Sequence, residues 1–315
     1  MGFTEVLLRH KLIISTWRTI TQNIEKNKPD LLILIDYPGL NMRVAKWAKQ
    51  RGIPIFYYIP PQVWAWGRAR IEKLRQYTDY IAPLYPFEQD FLIKAKLNTT
   101  LVKHPLLNKI LAQQLNHPCT EKPIEIVCMP GSREQEVRKH LENMLTAIYI
   151  LQVKLQKRIK VSVIQAPSQS PLKSICNAWQ DKLNIQIIAN INKQHTLATA
   201  HLACVVSGTA SLEVALTAVP LLLIYQTSWL NYTLAKWLLA SRIRWIGLPN
   251  LIAQSTIIPE LIQEKAKPDC MAKTMFKILK DNVYREGMHR GLLRMRNKLD
   301  TAAEHSIEDL ITQAL

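Results

Sequence analysis

Two short loops combine small residues with charged side chains in a pattern that suits a phosphorylated ligand. The first, MPGSREQEV (129–137), contains Gly131, Ser132 and Arg133 and follows an apolar run. The pattern predicts that a strand ends, that Gly131 turns the chain, and that a helix begins near Ser132 with its first N–H groups directed at a phosphate. Arg133 suits a forked contact to a diphosphate. The alternative is an ordinary helix cap with an exposed arginine.

The second loop, VVSGTASLEVAL (205–216), also joins a predicted strand to a predicted helix, which we expect to begin at Thr209 or Ala210. The small residues Ser207 and Gly208 permit a ligand to approach the backbone closely. Glu213 lies one turn inside the helix, where a carboxylate suits the two hydroxyls of a ribose. The alternative is a capping box that uses Ser207 or Thr209. Two such loops in one domain favour a nucleotide.

The strands that position these loops are indicated in the sequence by short apolar runs that do not alternate with polar residues. Such runs, separated by helical patterns, are typical of buried parallel strands. The predicted strands are 31–36, 53–59, 79–85, 99–103, 124–130, 160–167, 185–190, 202–208 and 220–226. They predict an α/β protein with two Rossmann-like, doubly wound domains that face a cleft.

The domain boundaries are expected where the strand pattern pauses. Residues 1–112 are predicted to form the first domain and 124–295 the second, joined by a polar linker at 113–123. The chain from Pro259 onward is predicted to be helical, with a helix at 296–315 that packs back on the first domain.

Composition restricts the classes of partner. The 315 residues include 41 Lys+Arg and 24 Asp+Glu, and the net charge of +17 favours an anionic partner. The longest apolar runs are too short to span a bilayer. The five cysteines are scattered and the sequence has no DxD, HExxH or P-loop pattern, so we expect no metal site and no ATP hydrolysis.

Several motifs, in a fixed order, resemble one family of enzymes. They are IDYPGLN, PQVWAW, PFE, HPLL, PGSRxxEV, SGTASLE and LPNLIA. In this combination the chain resembles the lipid-A-disaccharide synthases, glycosyltransferases of the two-Rossmann GT-B type. The resemblance implies transfer of a sugar from UDP-2,3-diacylglucosamine to 2,3-diacylglucosamine 1-phosphate. The products are a β-1,6 disaccharide and UDP, and the reaction needs no metal or other cofactor.

The resemblance also assigns roles to residues of this sequence. Asp36 is the implied general base for the acceptor hydroxyl, with Asn41 as a polar neighbour; the alternative for Asp36 is a helix cap. Arg133 is the implied partner of the departing diphosphate. Glu213 and Asn250 are implied ligands of the nucleotide. In the stretch YYIPPQVWAWGRAR, Trp64 and Trp66 are expected to line the acceptor cleft, and Arg68 is expected to lie near a phosphate group. The alternative for the two tryptophans is packing in the core.

The beginning of the chain predicts a membrane-facing patch. Apolar residues alternate there with cations in an interfacial amphipathic pattern, and the resemblance places a membrane contact in the same region. The apolar members of this patch are Phe3, Val6, Leu7, Ile13 and Ile14. A buried helix of the first domain is the alternative. We therefore expect a cytoplasmic protein bound peripherally to the anionic inner-membrane surface, and the resemblance also admits a homodimer.

Other functions remain open at this point. The chain lacks the opening strand and GExSGD loop of the family, so an incomplete first domain with little activity is expected. Another UDP-sugar transferase or an epimerase on the same fold is one alternative, and a non-catalytic relic that binds UDP or membrane is another. Nucleic-acid binding is disfavoured, because no RRM, KH or helix-turn-helix signature accompanies the positive charge.

Overall fold

The computed structural model describes residues 10–66, 69–111, 123–166, 171–227 and 244–315. The chain divides into two compact units. The first unit comprises residues 1–104 and 299–315, and the second unit comprises residues 105–298. Each unit has a parallel sheet of its own.

The first unit contains a three-stranded parallel sheet. Its strands β1 (Leu32–Ile35), β2 (Ile55–Tyr58) and β3 (Tyr80–Ala82) pair in that order. The helices before, between and after these strands are α1 (His10–Asn27), α2 (Pro38–Lys49), α3 (Val63–Trp66), α4 (Ala69–Tyr77) and α5 (Pro86–Lys94). Proline stands at the start of α2 and of α5, where its fixed φ suits the first helical turn and its missing N–H is not needed.

The first unit has two buried clusters, one against each face of this sheet, because successive strand residues point to opposite faces. Leu34, Val44, Ile55 and Leu74 belong to the larger cluster, and Phe56 belongs to the other. Within the described part of the chain, β1 is an edge strand of the sheet, and Ile33 and Ile35 are 38% and 57% exposed.

One predicted strand of the first unit is wrong. Residues 99–103 make two isolated bridges, Ile81 with Thr99 and Val102 with His305, instead of a ladder. The N–H groups of Thr100 and Val102 donate to the carbonyls of Ile81 and Pro83 at 3.1 and 3.2 Å, so the segment runs beside β3. Its bridges stay isolated, and it therefore forms no continuous strand.

The second unit contains a six-stranded sheet in which every pair is parallel. The strand order is β6-β5-β4-β7-β8-β9. The elements in chain order are α6 (Pro105–Leu111), β4 (Glu125–Met129), α7 (Glu134–Leu155), β5 (Lys160–Gln165), α8 (Leu172–Asn177), β6 (Asn184–Ala189), α9 (Lys193–Thr199), β7 (Leu202–Val206), α10 (Thr209–Leu216), β8 (Leu221–Tyr225), α11 (Leu248–Ala253), β9 (Glu260–Ile262), α12 (Pro268–Lys280) and α13 (Asn282–Thr301). This order is the doubly wound one, whose direction reverses between β4 and β7.

The central strands of this sheet are buried on both faces, as their unbroken apolar sequences predict. Every residue of β4 and of β7 is buried. On α7, Leu141, Leu145, Ile148 and Leu151 recur at helical spacing and are fully buried. Burial of side chains of this size stabilises the fold by about 1.5–3 kcal/mol each.

The chain after Pro259 is not purely helical, contrary to the prediction. Glu260–Ile262 forms β9, which pairs with β8 at the edge of the sheet. A three-residue strand on an edge leaves too short a pattern in the sequence to be separated from the helices that follow it.

The end of the chain contains two helices, α13 and α14 (Ile307–Ala314), where one was predicted. Ser306 caps α14: its hydroxyl accepts from the Asp309 N–H at 3.1 Å, and the Asp309 carboxylate accepts from the Ser306 N–H at 3.0 Å. Leu310 of α14 joins a buried cluster with Phe56 and Leu84, so this helix completes the core of the first unit.

Candidate nucleotide and acceptor sites

The two predicted ligand loops emerge side by side from the second sheet. Met129 at the end of β4 pairs with Val205 near the end of β7. The loops that follow these strands therefore begin at the same edge of the sheet, where the strand order reverses. Ligands of doubly wound sheets bind in the crevice at this point.

The first loop turns at Gly131, as predicted, and the turn requires glycine. Its φ is +112°, a backbone conformation that residues other than glycine rarely adopt. A Cβ at this position would also lie 2.5 Å from the Oε2 atom of Glu136. The helix α7 begins at Glu134, so the expected start near Ser132 is two residues early, and Arg133 is the N-cap.

Glu136 is a functional candidate that the sequence reasoning missed. Its Oε2 atom accepts hydrogen bonds from the Ser132 N–H at 2.9 Å and the Arg133 N–H at 3.2 Å. Its Oε1 atom accepts from the Arg133 guanidinium at 2.9 Å. The carboxylate therefore occupies N–H groups that the sequence assigns to a phosphate. The sequence signal for this contact is a glutamate at the third position of the helix, because such a side chain commonly accepts a hydrogen bond from the N–H of the N-cap residue.

The second loop also follows its predicted course. Gly208 has a φ of +153° and α10 begins at Thr209, one of the two predicted positions. The Ser207 hydroxyl donates to the carbonyl of Ile246 at 3.4 Å, and the Ser211 hydroxyl donates to the carbonyl of Gly208 at 2.7 Å. No side chain of the described residues caps α10 at Gly208, so the alternative of a capping box is not what the structure has. Thr209 is exposed at the helix start.

Glu213 is buried and paired within the second unit. Its Oε2 atom accepts from the Lys193 ammonium at 2.7 Å, and its Oε1 atom accepts from the Gln194 amide at 3.4 Å. Lys193 and Gln194 are the first two residues of α9. The sequence reasoning did not find either residue, because α9 and α10 meet only in the folded sheet.

Asn250 lies in a different environment from the one that the sequence predicts. It is 0% exposed. Its amide group donates to the Ile258 carbonyl and to Glu260, and its carbonyl accepts from the N–H groups of Ile257 and Ile258. Each hydrogen-bonding group is thus engaged inside the protein, and Asn250 stabilises the turn around α11.

Asp36 in the first unit directly follows β1 and has an unusual backbone conformation. Asp36 and Tyr37 have φ values of +48° and +41°, in the left-handed region that non-glycine residues rarely adopt. Each such residue typically costs about 1–3 kcal/mol, and such strain concentrates at functional sites. Asp36 is exposed.

Two polar side chains hold this strained turn by its backbone. The Asn41 amide donates to the carbonyls of Ile35 at 2.9 Å and Asp36 at 2.7 Å. The Tyr57 hydroxyl donates to the Asp36 carbonyl at 2.9 Å. Burial and then the charge of Asp36 raise the pKa of Tyr57 well above its usual value, so this hydroxyl keeps its proton and remains a donor. None of these bonds uses the Asp36 carboxylate.

Trp64 contacts an ionisable residue that the sequence reasoning did not select. Its indole N–H donates to the Oε1 atom of Glu88 at 3.0 Å, and its ring meets the edge of Phe87 with centroids 5.2 Å apart. Burial raises the pKa of Glu88 to about 7, against the weaker opposing effect of the Trp64 hydrogen bond. Trp66 ends α3, but its side chain and the whole of Arg68 lie outside the described residues.

Part of the predicted membrane patch can be placed. Ile13 and Ile14 lie on α1 and line a cavity of about 410 Å³. The same cavity is lined by Trp17, Arg43, Lys46, Trp47 and Gln50. Ile13 also packs against the core cluster, so it is half-buried. Phe3, Val6 and Leu7 lie outside the described residues.

The described residues contain neither a membrane-spanning helix nor a cluster of metal ligands. No described helix has both the length and the apolar character that a membrane span needs. No three His, Cys, Asp or Glu side chains of the described ranges are grouped so that they could hold a metal ion.

Comparison with known proteins decides the family. A family model described as lipid-A-disaccharide synthetase matches residues 1–313. The chain belongs to the lipid-A-disaccharide synthetase family. Membership confirms the resemblance that the motifs indicated, and with it the prediction of a glycosyltransferase that forms a lipid A disaccharide.

Relatives of known name are similar over most of their length. A lipid-A-disaccharide synthase of Coxiella burnetii (strain Dugway 5J108-111) is 36% identical over 315 residues, which cover 95% of this chain and 80% of the relative. Lipid-A-disaccharide synthase 1 of Legionella pneumophila is 32% identical, with 100% of this chain and 83% of the relative covered.

Solved structures confirm the fold class. The UDP-GlcNAc 2-epimerase of Neisseria meningitidis bound to UDP-GlcNAc has a TM-score of 0.61 at 11% identity and covers 96% of this chain and 82% of its own. MurG of Acinetobacter baumannii has a TM-score of 0.58 at 13% identity, with coverages of 96% and 77%. These matches confirm the predicted GT-B type of fold.

Proposed function

We propose that the chain transfers 2,3-diacylglucosamine from its UDP derivative to 2,3-diacylglucosamine 1-phosphate, which yields the β-1,6 disaccharide and UDP. The observation that carries the proposal is the pair of loops after β4 and β7, which begin side by side where the strand order of the second sheet reverses. Membership in the family supports the choice of reaction.

The donor nucleotide is assigned to the two loops of the second unit. In this proposal the backbone at Gly131, Ser207, Gly208 and Thr209 forms the bed for the phosphates, and the Ser132 N–H joins it when a phosphate displaces the Glu136 carboxylate. Arg133 neutralises the charge that grows on the departing UDP, since its guanidinium is exposed and has donors beyond the one given to Glu136. Glu213 receives the ribose.

Asn250 has a supporting part in the proposal. Because its amide is fully engaged, we assign it to holding the turn that follows Gly247 and not to direct contact with the nucleotide. The N–H groups of Ile246 and Gly247 donate to Glu260, which Asn250 also contacts, so one carboxylate organises the whole turn.

Asp36 is the proposed general base of the transfer. The 6-hydroxyl of the acceptor attacks the anomeric carbon, a new C–O bond forms, and the bond from that carbon to UDP breaks. Asp36 takes the hydroxyl proton and the leaving diphosphate keeps the electron pair. Asn41 and Tyr57 hold the strained backbone, so the carboxylate is left available for this task. Trp64, Trp66 and Arg68 belong to the acceptor side of the proposal.

A coupled assay tests the reaction. The chain is incubated with both acylated sugars, and released UDP and disaccharide are measured. Arg133→Ala and Glu213→Gln should each weaken UDP binding in calorimetry by about tenfold or more, as expected for the loss of a charge-assisted hydrogen bond. UDP binding without any disaccharide would reject the synthase reaction and leave a nucleotide-binding protein. Unchanged UDP affinity in both variants would reject the two-loop site.

A peripheral contact with an anionic membrane surface at the cytoplasmic face is the second part of the proposal. Supporting it, the cavity beside α1 has apolar walls from Ile13, Ile14 and Trp17 and exposed cations at Arg43 and Lys46. Cations near an anionic surface typically contribute about 1 kcal/mol each.

Vesicle sedimentation tests this contact. Arg43→Ala together with Lys46→Ala should lower binding to anionic vesicles by about an order of magnitude and leave UDP affinity unchanged. Lys157→Ala with Lys265→Ala removes the same charge from exposed positions of the second unit and serves as the matched control. Equal losses in both double variants would show that total charge, and not this cavity, drives the binding.

A further inference from the structure

One buried hydrogen-bond acceptor beside Glu213 has no donor among the described residues. It is the Oε1 atom of Gln194, a residue that is 8% exposed. The amide nitrogen of the same side chain donates to Glu213 at 3.4 Å, so the carbonyl oxygen belongs to the same cluster. Buried polar atoms without a partner are rare in native proteins, and each one requires a physical reason.

The neighbouring groups explain which chemistry could satisfy this oxygen. Lys193 already donates to Glu213 at 2.7 Å and neutralises it inside the protein. Each carboxylate oxygen retains capacity for a second hydrogen bond, so Glu213 and Gln194 together present two adjacent acceptors. A ribose carries two adjacent hydroxyl donors, and a vicinal diol therefore matches this pair. A phosphate does not match, because it brings no donor.

The position in the fold agrees with this match. Glu213 lies one turn into α10, behind the loop of Ser207 and Gly208 that is assigned to the phosphates. In a nucleoside diphosphate the ribose is the group next to the phosphates. A ligand whose diphosphate lies on the loops thus brings its ribose toward the pair of acceptors.

We propose that Gln194 is a further nucleotide-binding residue, whose carbonyl oxygen accepts a hydrogen bond from one ribose hydroxyl while Glu213 accepts from the other. This assignment rests on the proposed nucleotide site. It makes the site selective for ribonucleotides over deoxyribonucleotides. Lys193 acts as a positioning residue that fixes the Glu213 carboxylate.

Calorimetry with three ligands tests the assignment in the full chain. The ligands are UDP, 2′-deoxy-UDP and 3′-deoxy-UDP, and the variant is Gln194→Met, which keeps the volume of the side chain and removes the amide. We expect UDP to bind about fivefold more weakly to the variant, as for one neutral hydrogen bond. The loss should vanish for the deoxy analogue that lacks the hydroxyl bound by Gln194.

Controls separate this role from a structural one. Gln180→Met, at an exposed glutamine of the same unit, should bind all three ligands as the wild type does. If Gln194→Met melts before it can be titrated, Gln194→Asn withdraws the carbonyl while keeping an amide, and it should show the same selective loss.

Each possible outcome identifies a different way in which the assignment of Gln194 could be wrong. An equal loss for all three ligands would mean that Gln194 only positions Glu213, and unchanged affinity would mean that a buried water satisfies its carbonyl. Either result overturns the assignment. If the wild-type chain does not bind UDP at all, the nucleotide site itself is wrong.

Discussion

At the scale of single residues, the backbone of Asp36 is held by neighbouring side chains, whereas its carboxylate is the group that is proposed to react. Asn41 and Tyr57 bind the carbonyl groups of the strained turn, and the carboxylate takes no part in these bonds. A substitution that alters only the carboxylate therefore leaves the turn intact. This separation makes the proposed base testable without disturbance of the fold.

Asp36→Asn should lower turnover by about 100-fold or more and leave the melting temperature nearly unchanged, because loss of a general base removes the proton acceptor only. Disaccharide formation under saturating substrates is the measurement. Asp90→Asn, at an exposed position of α5, is the control and should retain full activity. Full activity of Asp36→Asn would exclude this residue from the mechanism.

Glu88 gives a prediction about pH. Its pKa is raised by burial from an ordinary 4.5 to about 7, so the folded state favours the protonated carboxyl. Its contribution to stability is then fully present below about pH 4.5 and is lost as the pH rises through 7. Glu88→Gln has no carboxyl to titrate and should not show this loss. Between pH 5 and pH 8 the free energy of unfolding of the wild type should therefore fall by up to about 3 kcal/mol more than that of the variant.

Urea denaturation at several pH values measures this effect. The free energy of unfolding of the wild type should fall with pH relative to that of Glu88→Gln. Glu25→Gln, at an exposed carboxylate of the same unit, should follow the wild type. If the curves for Glu88→Gln and wild type run parallel, the buried carboxyl does not titrate in this range.

At the scale of elements, the loop from β4 to α7 depends on one glycine and one glutamate. The backbone of Gly131 has a positive φ, and the carboxylate of Glu136 fills the space where a Cβ would lie. The same carboxylate holds the N–H groups of Ser132 and Arg133. The shape of the loop and its capacity for a phosphate are therefore coupled.

Gly131→Ala should destabilise the second unit by about 1–3 kcal/mol and weaken UDP binding, since alanine disfavours this φ and meets Glu136. Gly287→Ala is the matched control, because Gly287 lies in helix α13 and has open space around it. That control should be neutral or more stable by up to about 1 kcal/mol, the helix preference of alanine over glycine. Equal effects of the two substitutions in denaturation curves would refute the special role of Gly131.

At the scale of the whole molecule, central strands and edge strands differ in burial. β4 and β7 are buried throughout, whereas β1 lies at an edge of the described sheet with Ile33 and Ile35 exposed. An edge strand has hydrogen-bonding groups on one side that no neighbouring strand protects. Local opening should therefore occur more readily at the edge strand β1 than at the central strands β4 and β7.

Hydrogen exchange of the native protein tests this difference. Peptides that contain β1 should exchange their amides faster than peptides that contain β4 or β7, because local opening exposes them at a lower free energy. Ile35→Thr should reduce aggregation with little loss of stability, since the side chain is already exposed. Equal protection of all three strands would show that the edge of β1 is covered in solution.

The sequence by itself determined the loops, most of the strands and the family. Unbroken apolar runs identify buried parallel strands because both faces must be covered, and glycine before a helix indicates a turn that only glycine adopts easily. These local signals predicted the turn at Gly131 and a start of α10 at Thr209 or Ala210, of which the structure has Thr209. Short elements such as β9 escaped, because three residues carry no measurable period.

The tertiary structure alone decided which side chains meet. Lys193 and Gln194 reach Glu213 only after β4, β7 and the helices around them have packed, and no sequence spacing reports that contact. Only the structure likewise shows that the buried amide of Asn250 is engaged by Ile257, Ile258 and Glu260. The physical reason is that a polar side chain inside a protein must satisfy its hydrogen bonds with whatever the fold brings near, and that neighbour is set by topology and not by position in the chain.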